Sequence, residues 1–304
     1  MQNALSVDLE EYFQVSNFDG VIPRDGWDAL PSRVEAATHR LLDLFDASGH
    51  RATFFVLGWV AERQGALVRT IAERGHEIAC HGFGHQLVYE IGRERFEADL
   101  ARSQRAIEDA CGVAVRGYRA PSYSITERSL WALDVLAEAG FTYDSSIFPI
   151  RHHRYGIPAF PQQPVRLALD SGAEILEFPM TTLRAFGTNL PLAGGAYLRF
   201  LPLPFFRLAF DHLVRSGRAT VLYLHPWEID GGQPVQDVGF KTRVNHYYNR
   251  DQMEQKLAAV IRPHAFGALE DVLQALDDAG RIETRPLAEL ATADDADALT
   301  TAAA

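Results

Sequence analysis

Strand-like apolar runs alternate with helix-like runs that end in glycine, and this alternation constrains the fold more than any other feature of the chain. Residues 4–7 and 52–57 are short apolar segments with β-branched and aromatic side chains, as strands require. Between them, Ser32 and Glu35 have capping-box spacing, and Val34, Ala37, Leu41, Leu44 and Phe45 recur near the 3.6-residue period. Gly49 stands where a left-handed residue closes a helix. The unit then repeats. A helix over 60–74 ends at Gly75 and leads into a strand over 76–80. A helix over 94–110 ends at Gly112 and leads into 114–118, and a helix capped by Thr126 ends at Gly140 and leads into 141–143. Such units imply parallel strands joined by right-handed crossovers, in a barrel or an open sheet.

Beyond Asp144 the pattern loosens. Residues 150–163 read as a long loop rich in His, Arg and Pro, 175–178 as a strand, and 183–204 as irregular chain with Gly187, Gly194 and Gly195. A helix over 205–215 and Gly217 precede a strand over 219–224. A second insertion over 228–250 is followed by helices over 251–261 and 266–279. Residues 291–304, dominated by Ala, Asp and Thr, read as a disordered tail. The organisation expected is a single domain over 1–290, with its motifs within 4–230 and a C-terminal extension over 231–290.

At 304 residues and 47% hydrophobic, the chain can bury a sizeable core. A formal net charge of -11 argues against nucleic acid as a partner, because a duplex-binding face needs clustered Lys and Arg. No glycine-rich phosphate loop and no Gly-x-Ser-x-Gly elbow is present. The first residues lack the basic and apolar regions of a signal peptide, and no apolar run reaches the roughly 18 residues of a membrane span. A cytoplasmic protein without a transmembrane segment is the expectation. Of the two cysteines, Cys80 adjoins His81, but on a strand its side chain points to the opposite face, so it reads as a buried structural thiol.

Chemistry-bearing residues collect where the strands end: Asp8-Leu9-Glu10-Glu11, His81-Gly-Phe-Gly-His85, Arg119-Ala-Pro-Ser-Tyr123, Asp144 and His225-Pro-Trp-Glu228. His81 and His85, four apart on a helical turn, would have Cβ atoms about 5–6 Å apart and could bind one cation. Alternation along the first strand turns Leu9 away and points Asp8 and Glu10 the same way, so that one carboxylate could complete a metal triad while the other acts as base. A divalent metal with three protein ligands and an open position activates water near neutral pH. His225 is the obvious proton donor to a leaving group. Arg119, ahead of Pro121, lies in a rigid turn where it could fix Asp8, and Asp144 could orient His225. His39, His50, His76, His212, His246 and His264 stand alone and read as structural, and Arg151, His152, His153 and Arg154 read as a solvated basic loop.

The order of these motifs resembles the polysaccharide deacetylase family, carbohydrate esterases with a NodB-type domain. The resemblance covers roughly residues 4–230 and implies a distorted (β/α)7-type TIM-like barrel, here with long loop insertions and C-terminal helices. It implies Asp8 as catalytic base, His81 and His85 as metal ligands, Arg119 as the contact of the base, Asp144 as the group tuning the acid, and His225 as that acid. The loop holding Pro121 and Tyr123 would supply an oxyanion donor. The sequence departs from the family in three places. Leu9 follows Asp8 where a second aspartate is usual, which makes Glu10 the carboxylate ligand by strand alternation and leaves Glu11 as the alternative. Gly82 replaces a Ser or Thr, and Phe148 stands where Trp is common.

The function expected is removal of N-acetyl groups from N-acetylhexosamine units of a bacterial glycan or its precursor. It needs a divalent metal, zinc foremost, with Co, Ni, Fe and Mn suited to the same donors. Tyr123, Trp227 and Tyr197 would line the substrate groove. Residues 189–202 are similar to a subgroup associated with exopolysaccharide gene clusters. The rivals are an allantoinase-like hydrolase of small cyclic amides and a glycan-binding barrel that has lost the reaction. A homo-oligomer is compatible with the sequence.

Overall fold

The computed structural model describes residues 2–291, so the tail read as disordered lies outside the described residues apart from Ala291, which closes a helix, Leu287–Ala291. Among the described residues eleven strands occur in chain order: β1 (Asn3–Leu9), β2 (Thr53–Val56), β3 (Glu77–Cys80), β4 (Gly117–Tyr118), β5 (Tyr143–Asp144), β6 (Val165–Ala168), β7 (Glu174–Glu177), β8 (Thr182–Ala185), β9 (Thr188–Pro191), β10 (Thr220–Leu224) and β11 (Glu283–Pro286). Nine of them form one sheet in the order β10-β1-β2-β3-β4-β5-β7-β6-β11. Every pairing in it is parallel except β6–β7.

This is the mixed α/β architecture with a parallel sheet that the alternation requires, consistent with a distorted TIM-like barrel, with no closed barrel among the described residues. Among the described residues no ladder joins β10 to β11. The parallel repeat stops after β5, where a turn at Gly172 reverses the chain and makes β6–β7 an antiparallel pair.

Alternation along the strands separates two apolar layers. Leu5, Val7, Leu9, Phe54 and Val56 pack with Leu41 and Phe45 of the helix Val34–Ser48. Ala4, Phe55, Ala79, Tyr143 and Val221 pack on the other face. Asp8 shares that second face with Ala4 and Ser6, because side chains two apart on a strand point the same way. Leu5, Val7 and Leu9 are fully buried, which is worth about 1.5–3 kcal/mol each. A one-residue slip of β1 would forfeit this burial and drive Asp8 into the apolar layer.

Register fixes where the chemistry goes. Asp8 pairs with Phe55, Cys80 with Tyr118, Tyr118 with Asp144, and Asp144 with Glu177. The C-terminal ends of the parallel strands therefore lie along one edge of the sheet, and each motif follows such an end.

Several local expectations change. Ser32 does not cap the first helix; its hydroxyl donates to Glu11 Oε1 at 2.5 Å. Glu11 itself takes the backbone N–H groups of Arg33 and Val34, so a carboxylate from the end of β1 caps this helix. The helix expected over 60–74 is two helices, Gly58–Arg63 and Gly65–Glu73, broken at Gln64. The supposedly irregular 183–204 holds the β8–β9 hairpin and the helix Ala196–Phe200, and the insertion over 228–250 holds the helix Phe240–Tyr247.

Candidate active site

Glu10, His81 and His85 offer one oxygen and two nitrogens that all lie within 4.8 Å of one another, and all three residues are buried. They converge by a route the sequence did not show. Residues 81–85 form a loop rather than a helical turn, with Gly82 at φ 74° and His85 at φ 51°. Hydrogen bonds from Ser103 Oγ to Gly82 O at 2.8 Å and from Phe83 N to Asp99 Oδ2 at 2.8 Å hold this loop. Cys80 sits on the far face, donating to Ser103 Oγ, as a structural thiol should.

The donors suit a cation. His81 Nδ1 donates to Arg119 O at 2.7 Å, which fixes the tautomer and leaves Nε2 with its lone pair for a ligand. Burial lowers the His81 imidazole to about 4 against the pull of Asp8, so it is neutral at pH 7, as a ligand must be. Burial would raise the Glu10 carboxyl, but the imidazoles of His85, His225 and His81 outweigh it and hold the carboxyl at about 2. Glu10 Oε2 is buried with His85 Nε2 3.0 Å away. Two imidazoles and one ionised carboxylate, facing one another without intervening protein, are a donor set for a divalent metal. Glu11, whose carboxylate caps the helix, is not among these clustered donors.

Asp8 stands beside this set. Its Oδ1 accepts from Arg119 Nη1 at 2.7 Å, and the same nitrogen reaches Ser6 Oγ at 2.8 Å. Arg119 is fully buried, with its remaining nitrogens on Ser145 O and Ser145 Oγ and its guanidinium 4.1 Å above the Phe55 ring. The other Asp8 oxygen faces His225 Nε2 at 3.9 Å. His225 Nε2 is also 3.6 Å from Glu10 Oε1. Burial would lower the His225 imidazole, but Glu10, Glu228 and Asp8 outweigh it and raise it to about 9.

Asp144 does not orient His225. Its oxygens take Ser146 Oγ and Ser146 N, and as the strand partner of Glu177 it belongs to a buried carboxyl pair. Burial raises both of these acids, and the Asp144 charge raises Glu177 further. The Nδ1 of His225 instead meets Glu228 Oε2 at 3.1 Å. In the sequence Glu228 had only closed the motif His225-Pro-Trp-Glu228.

The aromatic residues divide in the same manner. Trp227 is nearly buried, stacked on His225 at 4.9 Å, and its Nε1 donates to Glu10 Oε1 at 3.0 Å, so it braces the Glu10 carboxylate of the candidate metal site more than it lines a groove. Tyr123 is buried against Phe148 and Tyr223, and its own N–H is given to Ala120 O at 3.0 Å rather than offered to an oxyanion. Tyr197, half-buried, meets Tyr155 through the two hydroxyls at 3.3 Å. Ser122 and Tyr123 adopt φ 51° and 56°, a left-handed strain of the kind that gathers at functional sites. Sequence reasoning missed Tyr155, Tyr223, Arg199 and His246. His246 is stacked on Trp227 at 4.3 Å, and no local pattern sets it apart from the other lone histidines.

Residues 25–143 match the polysaccharide deacetylase family model, and residues 145–274 match the model described as Domain of unknown function (DUF3473). Asp8 and Glu10 precede the first match, Asp144 falls between the two, and His225 lies in the second. The chain is 37% identical over 127 residues to a chitooligosaccharide deacetylase of Sinorhizobium fredii, covering 40% of this chain and 56% of that protein. It is 33% identical over 113 residues to a peptidoglycan deacetylase of Helicobacter pylori, covering 37% of this chain and 38% of that one. The matches thus span about half or less of the length of these relatives. Among solved structures, a Mycobacterium smegmatis protein provisionally assigned as a polysaccharide deacetylase superposes with a TM-score of 0.63 at 20% identity, over 94% of this chain and 92% of that one. Puue allantoinase does so with 0.57 at 16% identity, over 92% and 91%. Residues 25–143 therefore match the polysaccharide deacetylase domain, and the chain around them shares the fold of these solved structures.

Proposed function

We propose that this protein is a metal-dependent hydrolase that removes N-acetyl groups from N-acetylhexosamine units of a bacterial glycan or its precursor. The observation that carries the reading is the convergence of Glu10, His81 and His85 within 4.8 Å, with Asp8 and His225 both beside the cluster. A divalent cation held there, zinc by its fit to two imidazoles and a carboxylate, supplies Lewis acidity that lowers the pKa of water and polarises the acetyl carbonyl.

The rest falls to this chain's own side chains. Arg119 occupies one oxygen of Asp8 and leaves the other facing the site, where it takes the proton of the attacking water. His225, protonated and aimed through Nε2 at the same space, gives its proton to the sugar nitrogen as the C–N bond breaks, releasing acetate and a free amine. Ser122 and Tyr123 shape a left-handed turn beside the site, and Tyr197 with Tyr155 offers ring faces and hydroxyls to a sugar. The similarity of residues 189–202 to the exopolysaccharide-associated subgroup favours a bacterial exopolysaccharide over other glycans.

The test is acetate release from a panel of N-acetylated oligosaccharides by metal-loaded protein, with Asp8→Asn and His225→Ala as controls. The reading expects release by the wild type and a loss of about 10²-fold or more in each variant. Hydrolysis of a small cyclic amide without acetate release from any oligosaccharide would move the assignment to the allantoinase-like reading.

A further inference from the structure

We infer that Glu228, locked in place by Arg199, is the positioning residue for His225, the part the sequence had assigned to Asp144. The inference rests on the deacetylase reading for its chemistry, but its geometry stands apart. Glu228 Oε2 accepts from the backbone N–H of His225 at 3.1 Å and meets the ring Nδ1 of the same residue at 3.1 Å. One carboxylate oxygen therefore holds both the backbone N–H and the ring Nδ1 of His225. Its other oxygen accepts from Arg199 Nε at 2.7 Å.

Glu228 and Arg199 are both buried, and Arg199 Nη1 is anchored on the carbonyls of His246 and Tyr248. A capping role in the short turn Pro226–Ile229 accounts for the contact to the His225 backbone. It does not account for a buried guanidinium placed behind the carboxylate, nor for a ring whose Nε2 faces Asp8 and Glu10.

The consequence is specific. With Nδ1–H held by Glu228, the ring presents Nε2 toward Asp8 and Glu10, and an anion behind the ring favours the imidazolium that a proton donor must be. Asp144 is left free for its pairing with Glu177. His225 is stacked on Trp227, and Trp227 on His246, so the ring cannot turn away.

Changing Glu228 alone strands the Arg199 guanidinium in the interior, so the pair is changed together, Arg199→Met with Glu228→Leu, and its folding is verified by a cooperative thermal melt. In metal-loaded protein acting on an N-acetylated oligosaccharide, we expect kcat to fall about 10²-fold with KM within about twofold. In a His225→Gln background the same pair should cost almost nothing more, because residues acting as a unit are not additive. A full further loss on top of His225→Gln, or an unchanged kcat in the pair variant, would overturn the inference.

A second readout needs no turnover. The wild type should show a downfield imidazole N–H proton resonance that disappears in His225→Gln and in the pair variant. Its absence from the wild type, or its persistence in the pair variant, also overturns the inference. Failure of the wild type to release acetate would instead count against the deacetylase reading, with the resonance still deciding on Glu228.

Discussion

The indole Nε1 of Trp227 donates to Glu10 Oε1 at 3.0 Å, tying the last strand motif of the chain to the first across 217 positions. Trp227 is thereby an outer support of the proposed metal carboxylate, and such supports affect metal affinity about 10–100-fold. Trp227→Phe keeps a stacking face for His225 and removes the donor. A chelator-competition titration should show weaker cation binding by about tenfold, and an unchanged affinity would mean that the contact does not orient Glu10.

Gly82 bears on the same site through the backbone. At φ 74°, with an added Cβ lying 3.1 Å from Asp99 Oδ2, it occupies a conformation that other residues adopt only under strain. The Ser or Thr common at this position in the family is therefore not a repair here. Gly82→Ser should lower stability by about 1–2 kcal/mol, read as a lower urea midpoint at constant m-value. A midpoint at or above the wild type would contradict the assigned backbone geometry.

Glu77 gives a pH signature at the other end of β3. Burial, reinforced by the neighbouring Glu270, raises its carboxyl from 4.5 to about 7, against hydrogen bonds from Thr53 and Tyr143. Between these two values the folded protein keeps a proton that the unfolded chain has released. This contribution to stability is therefore complete below about pH 4.5 and is lost as the pH rises through about 7, by at most about 1.4 kcal/mol per unit. Urea midpoints measured across that range should fall less steeply for Glu77→Gln than for the wild type. Parallel profiles would show that Glu77 is not the source.

Much of this was legible in the sequence because strand alternation is a rigid rule. Asp8, Leu9 and Glu10 point where period two sends them, and the glycine-closed helices lie nearly where their apolar stripes place them, Gly49 and Gly112 being left-handed caps. What the sequence could not convey depends on contacts between distant segments. The pairing of Asp144 with Glu177 follows from register between β5 and β7. The capping of a helix by Glu11 joins residues more than twenty positions apart, and the local Ser32–Glu35 pattern pointed elsewhere. Arg199 and His246 have no local motif at all; their importance comes from packing behind Glu228 and Trp227. Nor does the strand–helix repeat convey whether a ladder joins β10 to β11, since it serves barrels and open sheets alike; among the described residues none does.

Glu10 and Glu11 separate two effects that a carboxylate at the end of β1 can have. Glu11→Ala removes a helix cap and should cost about 1–2 kcal/mol of stability while leaving the site's donors in place. A denaturation curve and a cation titration on the same sample check both halves of this expectation. A variant that kept full stability would show that Glu11 does not cap the helix.

The most direct measurement is zinc stoichiometry after loading and gel filtration for the wild type, Glu10→Gln, His81→Gln and Glu11→Gln. The account predicts one zinc per chain in the wild type and in Glu11→Gln, and next to none in Glu10→Gln and His81→Gln. Zinc retained by Glu10→Gln, or lost in Glu11→Gln with the fold intact, would contradict it.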